Sequence, residues 1–174
     1  MNAPTLETPR LILRAHVPKD FDFVAAMWAE PEVVRFIGEG VPLSRNDTWL
    51  KFLRFPGHWS LTGFGSWAIE EKASGTLIGE VGFIERNLPA DNPLAGVPEL
   101  GYAVVPSAAG KGYTTEAAQR ALVWGREHFG PARVITVIKP GNDASVRVAE
   151  KCSFKPFPEC DPDAGPRLLF ERTL

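Results

Sequence analysis

A glycine-containing turn between a strand and a helix constrains this chain more than any other segment. Residues 98–116 read PELGYAVVPSAAGKGYTTE, where an apolar run is followed by small residues and then by the start of a helix. Gly110 and Gly112 have no Cβ, so the backbone there can turn tightly and approach a ligand closely. A helix that begins at such a turn offers free N–H groups and the positive end of its dipole. The segment therefore predicts a cradle for an anion, most naturally a phosphate or pyrophosphate.

Two common nucleotide-binding motifs do not fit this turn. A Walker loop requires Gly, four residues and then Gly-Lys-Ser/Thr, whereas Val105 stands five residues before Gly110, and Gly112 follows Lys111. A dinucleotide fingerprint, G-x-G-x-x-G, would need a third glycine where Thr115 stands, and an acid about 20 residues further on, where this chain is apolar. Both absences argue against an ATP- or NAD-binding protein. On this segment alone, a plain strand–turn–helix connection stays equally open.

A second strand also ends at a polar helix start. Residues 134–154 read VITVIKPGNDASVRVAEKCSF, in which the β-branched run Val134–Ile138 predicts a buried strand. Pro140 and Gly141 break that strand, and Asn142 is a good N-cap with Ser145 in the first helical turn. Two strand ends that each open onto a helix N-terminus predict a two-walled site in an α/β protein.

These segments together resemble the GNAT superfamily of acetyl-coenzyme A-dependent N-acetyltransferases. The resemblance rests on PELGYAVVPSAAGKGYTTEAAQRAL followed by a strand and NDASVRVAEKCSF, and it extends over nearly the whole chain. The opening TPRLILRAHVPKDFDFVAAMWAEPEVVRFI is similar to the branch that acetylates protein N-termini, including those of ribosomal proteins. The resemblance implies transfer of an acetyl group from acetyl-coenzyme A to a primary amine, by direct attack in a ternary complex. The acceptor would be a protein N-terminal α-amine or a small-molecule amine.

The resemblance also implies a fold and a cofactor site. Residues 1–174 would form a single α/β (α+β) domain, with helices on both faces of a mixed sheet. The strands Glu99–Val105 and Arg133–Ile138 would splay apart like a V around coenzyme A. The backbone at Val104 and Val105 would pair with the pantetheine arm, and Asn142 would reach the pantetheine or thioester. The pyrophosphate would be held by the amides of Gly110, Lys111, Gly112, Tyr113 and Thr114, and the Lys111 side chain could add a charge.

The chemistry requires a base, because an amine attacks a thioester only without its extra proton. Many family members place a carboxylate where this chain has Glu99, which the resemblance identifies as the base. Glu80, in the preceding strand, is the alternative. Ser145 matches the serine with which the N-terminal-acetylating branch protonates the leaving thiolate, and an N–H near Val105 could hold the tetrahedral oxyanion.

Some positions depart from the family pattern. Many relatives place an acid tyrosine after the position of Asn142, whereas both tyrosines of this chain, Tyr102 and Tyr113, precede it. Ser107 and Ala109 replace larger or polar residues before the glycine turn. Ser153 replaces the glycine of a "KLGF" segment, which predicts an altered helix C-cap.

Two segments are expected to wall the acceptor side of the site. The acceptor is expected between the loop Asn87–Val97 and the segment Gly38–Trp59. There Phe55, His58 and Trp59 suggest an aromatic mouth, Trp49 is expected in the core, and Asp91 and Glu39 could attract a cationic amine.

Hydrophobic periodicity predicts the remaining elements. The other predicted strands are Arg10–Arg14, Phe64–Glu71, Thr76–Arg86, Arg133–Lys139, Phe154–Pro158 and Arg167–Thr173. The predicted helices are a stripe over Phe21, Val24, Ala25 and Trp28, a short turn at Glu32–Ile37, Ser44–Phe55, Gly112–Phe129 and Asn142–Cys152.

Composition narrows the partners. The 174 residues are 44% hydrophobic with a formal net charge of −2, so there is no basic surface suited to a nucleic-acid backbone. The sequence has no long apolar run that would predict a membrane segment, and the N-terminus lacks the apolar core of a signal peptide. A cytoplasmic monomer or homodimer with two reduced cysteines and no metal is expected. A non-catalytic acyl-coenzyme A sensor remains the alternative to an enzyme.

Overall fold

The computed structural model of the protein describes residues 3–158 and 167–174. In this part of the chain, strands and helices alternate much as the periodicity predicts. The strands are β1 (Leu6–Glu7), β2 (Leu11–Arg14), β3 (Ser66–Glu71), β4 (Thr76–Ile84), β5 (Glu99–Val104), β6 (Arg133–Ile138), β7 (Lys155–Pro156) and β8 (Leu168–Thr173). The helices are α1 (Phe21–Ala29), α2 (Pro31–Val34), α3 (Arg45–Thr62), α4 (Tyr113–Phe129) and α5 (Asp143–Lys151).

The described strands form one mixed sheet in the order β1-β2-β3-β4-β5-β6-β8-β7. Its neighbours are antiparallel except β5 and β6, which run parallel. Those two strands share a single paired position, Glu99 opposite Ile135. Because each strand is six residues long, most of their length is unpaired, and they diverge toward their carboxyl ends. This divergence confirms the predicted V-shaped sheet.

Helices cover both faces of the sheet, as predicted. Ala103 packs with α1 and α3 on one face, called here the front face, in a cluster that includes Trp28 and Phe52. Leu100 lies on the opposite, back face, because neighbouring strand residues alternate, and it packs in the cluster that contains α4 and α5 side chains. In residues 3–158 and 167–174, no helix combines the length and apolar content that a membrane crossing requires.

Helix α3 is longer than the sequence predicts. Its N-cap is Ser44, whose side chain accepts a hydrogen bond from the Asp47 N–H, as expected, but the helix continues past Phe55 to Thr62. Pro56 lies inside it and removes one backbone hydrogen bond. The buried face that contains Phe52, Phe55 and Trp59 runs through this position, and its burial outweighs the lost bond. The short strand β1, which pairs with β2, has no counterpart among the predicted elements.

Of the two cysteines, the structure describes Cys152. Cys152 is a buried free thiol, and burial raises its pKa to about 11. Such a thiol is a poor nucleophile near neutral pH. Cys160 lies outside the described residues.

Ser153 ends helix α5 in a strained conformation. Its φ of +62° is the one positive value among the described non-glycine residues, and the Phe154 N–H donates to the Ala149 carbonyl at 3.0 Å. This hydrogen bond is typical of the cap that normally has glycine at this position. The usual cap is therefore kept, which corrects the expectation of an altered C-cap; the difference is that a serine, and not a glycine, adopts the left-handed conformation.

Replacing Ser153 with glycine should stabilise the protein. We expect the free energy of unfolding to rise by about 1 kcal/mol, because glycine relieves the left-handed strain while it costs some unfolded-state entropy. Urea unfolding of both proteins measures the difference. Ser153→Ala is the matched control, since alanine keeps the strain, and a Ser153→Gly protein no more stable than Ser153→Ala would contradict this account.

Candidate active site

A single cleft joins the glycine turn to the carboxylates of the sheet. Its volume is about 610 Å³. It passes between the diverging strands β5 and β6 and is walled on the front face by α1, α2 and Lys51 of α3. Gly110 and Gly112 line one part of it, and Glu80 and Glu99 line another.

The divergence of β5 and β6 exposes backbone groups to the cleft. At the closed end, the Ile135 N–H donates to the Pro98 carbonyl at 3.1 Å. Because backbone groups alternate in direction along a strand, the N–H and C=O groups of Tyr102 and Val104 face the same way as that of Pro98. The Val105 N–H faces the other way and donates to the Ile78 carbonyl at 2.9 Å. The N–H of Val105 itself is therefore engaged in the sheet, so an N–H near Val105 that held an oxyanion would belong to a neighbouring residue.

The glycine turn has the conformation that the sequence predicts. A 3-10 turn over Pro106–Ala108 follows β5, and then Gly110 and Gly112 adopt φ values of +75° and +80°. Gly112 is the N-cap of α4, and the Glu116 N–H donates to its carbonyl at 3.1 Å. The N–H groups of the first helical residues have no partner within the helix. They are the donors that an anion at this turn would use.

An arginine at the other end of the sequence holds this turn in place. The Arg10 Nη1 donates to the Lys111 carbonyl at 3.0 Å, and its Nε donates to Glu116 Oε2 at 2.7 Å. Thr8 donates to the other oxygen of Glu116 at 2.6 Å. The Arg10 guanidinium also lies 4.5 Å from the centroid of the Tyr113 ring. The turn is therefore anchored to the start of the sheet from outside the cleft.

Asn142 and Ser145 form the second wall. The Asn142 side chain accepts a hydrogen bond from the Ser145 N–H at 3.2 Å, so it is the N-cap that the sequence predicts. The Ser145 carbonyl accepts a hydrogen bond from the Tyr102 hydroxyl at 3.1 Å. Burial raises the pKa of Tyr102 well above its usual range, so the hydroxyl stays protonated and keeps α5 tied to β5.

Glu99 sits at the closed end of the V. Its carboxylate forms an ion pair with Arg86, 2.5 Å from Nε to Oε2, and its side chain is 12% exposed. Burial raises the pKa of Glu99 above its usual value, and the positive charges of Arg86 and Arg167 oppose part of that rise. A carboxylate with a raised pKa is a stronger base than an ordinary glutamate.

Glu80 lies on the same front face but is more fully partnered. It is opposite Ala103, four residues along β5 from Glu99, which corresponds to about 13 Å of strand. Lys51 Nζ is 3.3 Å from its Oε1, and Trp28 Nε1 donates to its Oε2 at 3.3 Å. The two carboxylates are therefore separate groups and not a catalytic pair.

The model of the GNAT acetyltransferase domain matches residues 10–155, which include both walls of the cleft. The chain belongs to the GNAT acetyltransferase family. Acetyl-coenzyme A is its acyl donor, and it is an N-acetyltransferase.

Several known proteins are similar to this chain over most of its length. The uncharacterized N-acetyltransferase YoaA of Bacillus subtilis is 28% identical over 152 residues, which cover 87% of this chain and 83% of YoaA. The structure of an acetyltransferase from Agrobacterium tumefaciens superimposes with a TM-score of 0.83 at 27% identity, and covers 99% of this chain and 95% of its own. The ribosomal-protein-S5-alanine acetyltransferase of Vibrio fischeri has a TM-score of 0.74 at 15% identity, with coverages of 98% and 97%. At that identity it shares the fold alone.

The residues that line the cleft of this GNAT protein differ from those that the sequence predicts for the acceptor side. No residue of the loop Asn87–Val97 is among the described residues that line the cleft, and Gly38 and Lys51 are the lining residues from Gly38–Trp59. Residues of α1, α2 and the following turn take that place; they are Trp28, Glu32, Val33, Phe36 and Ile37.

The aromatic residues expected at the mouth have other roles. Trp59 and Phe55 are buried, 3% and 7% exposed, whereas Trp49, expected in the core, is 41% exposed. His58 contacts the Phe64 carbonyl at 2.6 Å and lies outside the cleft lining. Asp91 and Glu39 are exposed and also lie outside that lining.

Sequence reasoning missed four residues of this site. Arg10, Lys51 and Arg86 each pair with a carboxylate that is distant in sequence, so no local pattern marks them. Tyr102 could have been found, because the alternation of β5 places it opposite Val81 on the back face, toward α4 and α5. The family pattern, which places an acid tyrosine after the position of Asn142, does not point to it.

Proposed function

We propose that this GNAT protein acetylates a primary amine, either a protein N-terminus or a small-molecule amine, by direct attack on acetyl-coenzyme A in a ternary complex. One observation carries the proposal: a continuous cleft connects the glycine turn with Glu99, a mostly buried carboxylate of raised pKa. Such a cleft accommodates an extended cofactor at one end and an amine beside a base at the other.

The residues of the two walls would hold acetyl-coenzyme A. The pyrophosphate would lie against the amides of residues 110–114, where the helix dipole and free N–H groups favour negative charge. The pantetheine arm would run along Val104 and Val105 like an added strand. Its hydrogen bonds would use groups that β6 does not reach, chiefly those of Val104. Asn142, already in the cleft lining, would meet the pantetheine near the thioester.

Glu99 would act as the base. As the amine nitrogen bonds to the thioester carbon, Glu99 accepts the proton that the nitrogen loses, directly or through one water. The carbonyl oxygen then carries the negative charge of the tetrahedral intermediate. The C–S bond breaks to give the amide and a thiolate, and Ser145 passes its hydroxyl proton to that thiolate while it takes up a proton from water. Glu99 releases its proton to water, so both side chains return to their starting states. The Tyr102 contact to the Ser145 carbonyl fixes the segment that carries this hydroxyl.

Ser145→Ala should lower kcat by about tenfold to a hundredfold, the usual contribution of one proton transfer. The expected change is in kcat with little effect on coenzyme A affinity, because the Asn142 cap uses the backbone N–H of Ser145. Stopped-flow thiol release and calorimetric titration of coenzyme A separate the two effects. A kcat equal to that of the wild-type protein would remove Ser145 from the mechanism.

An acceptor panel tests the proposed function. Peptides that begin with Ala, Ser or Met, each with a free or a blocked N-terminus, would be compared with polyamines, aminoglycosides and amino acids. Mass spectrometry identifies the acetylated product, and initial rates at varied concentrations of both substrates should give intersecting reciprocal plots. Parallel plots would instead indicate a covalent acetyl-enzyme and overturn the ternary complex.

A further inference from the structure

Lys51 occupies an unusual position in the acceptor end of the cleft. It projects from α3, and its ammonium lies 4.1 Å from the centroid of the Trp28 ring and 5.3 Å from that of Phe55. The same ammonium is 3.3 Å from Glu80 Oε1. The Lys51 side chain is 25% exposed and that of Glu80 is 8% exposed, so the pair is largely withdrawn from water.

Aromatic faces together with a carboxylate are the groups that recognise an ammonium ion. A cation over an indole ring is attracted by the electron-rich face, and more strongly when it is desolvated, while a buried carboxylate requires a positive partner. Trp28 contributes to both, because its ring contacts the ammonium and its Nε1 donates to Glu80 Oε2 at 3.3 Å. The cleft therefore contains a complete ammonium site, and a lysine of the chain itself fills it.

This ammonium site lies within reach of the position where the amine would react. Glu80 is opposite Ala103, and Gly101, two residues along the same strand, is opposite Gly82. The Cβ position of Gly82 is filled by the Gly65 and Ser66 backbone, and that of Gly101 has one near neighbour, Ile84 Cδ1 at 3.3 Å, so the cleft floor carries no side chain at this pair. Two residues of strand span about 7 Å, so an amine held over Gly101 would lie about 7 Å along the strand from Glu80 and equally far from Glu99, which it would reach through one water. That span is close to the distance between the nitrogens of an extended five-carbon diamine.

We propose that Lys51 takes the place of the second ammonium of a diamine, so that this protein selects acceptors with a single amine over diamines and polyamines. The inference rests on the proposed function, since it concerns the same cleft. Half-exposed apolar side chains of the α2 wall, Val33, Phe36 and Ile37, would contact the uncharged part of such an acceptor.

Pentylamine and cadaverine test this selectivity, because they have the same chain length and differ in one terminal amine. The wild-type protein should acetylate pentylamine with a kcat/KM at least about tenfold above that for cadaverine, the ratio expected for about 1.4 kcal/mol. Lys51→Ala should raise kcat/KM for cadaverine by about tenfold, because it frees Glu80 and Trp28 for the second ammonium. Lys51→Arg keeps the charge and should remain selective for pentylamine.

Two controls keep the outcomes distinct. Lys72→Ala removes a lysine that pairs with Glu7 outside the cleft lining, and should leave the ratio of the two substrates unchanged. Cadaverine should raise the Tm of Lys51→Ala more than pentylamine does. This change in Tm measures binding of the amine even where turnover is slow.

The two proposals can fail separately. Equal kcat/KM values for cadaverine and pentylamine in the wild-type protein would overturn the role of Lys51 while leaving amine acetylation intact. Absence of acetylation of every amine, with coenzyme A still bound, would overturn the proposed function and this inference with it.

Discussion

Glu99→Gln should lower kcat/KM for the acceptor by at least about a hundredfold, the lower range for loss of a general base. Glutamine has nearly the same shape, but it cannot accept the proton that the attacking amine must lose. Coenzyme A affinity should stay the same, since the glycine turn lies in a different part of the cleft. Steady-state kinetics and calorimetric titration with coenzyme A measure the two quantities.

The pH dependence of this loss follows from the direction of the pKa shift. Burial raises the pKa of Glu99 above 4.5, so the base becomes available only above that raised value. An amine acceptor is largely protonated below a pKa of about 8 for an α-amine. The loss in Glu99→Gln should therefore be largest between these two pKa values, where Glu99 is ionised and the amine still carries its extra proton.

Glu85→Gln is the matched control for Glu99→Gln. Glu85 is an exposed neighbour of Arg86 and lies outside the cleft lining, so its replacement changes net charge by the same amount without touching the base. A Glu99→Gln protein as fast as Glu85→Gln across this pH range would exclude Glu99 as the base and direct attention to Glu80.

Gly112→Val should weaken coenzyme A binding by at least about tenfold. Gly112 has a φ of +80°, and a β-branched residue there costs about 1 to 3 kcal/mol of strain. The turn relieves that strain by moving the amides that we propose hold the pyrophosphate. A Cβ at this position would also lie 3.5 Å from Arg10 Nη2, against the residue that anchors the turn.

Gly75→Val separates this effect from general destabilisation. Gly75 has a φ of +67° in the turn between β3 and β4, with open space around its Cβ position, and lies outside the cleft lining. The Gly75→Val substitution should lower the Tm by an amount similar to that of Gly112→Val and leave coenzyme A affinity unchanged. Identical affinities for Gly112→Val and the wild-type protein would refute the placement of the pyrophosphate.

The parts of the fold that the sequence predicted are those set by local chemistry. The positive φ angles at the glycine turn, the Asn142 cap and the strain at Ser153 each depend on a residue and its immediate neighbours. The V-shaped sheet was implied by the family resemblance, and the single paired position between β5 and β6 confirms it. Helix α3 runs past its predicted end at Phe55 because its buried face continues to Trp59 in spite of Pro56.

The rest of the site depends on contacts between distant segments. Arg10 reaches Glu116 across 106 positions, and Arg86 pairs with Glu99 only because an antiparallel hairpin of β4 and β5 brings them together. In the sequence Lys51 does not differ from a solvated surface lysine, and its ion pair with Glu80 depends on the packing of α3 against the sheet. No pattern within the sequence distinguishes these residues from solvated charges. No pattern predicts either that α2 lines the cleft.

Thiol release from acetyl-coenzyme A, measured with and without an amine acceptor, is the most direct test of the central claim. The wild-type protein should release thiol only when an acceptor is present, in amounts equal to the acetylated amine formed. Saturable binding of coenzyme A without thiol release from any amine would contradict the claim, and would instead indicate a protein that senses acyl-coenzyme A without acetylating amines.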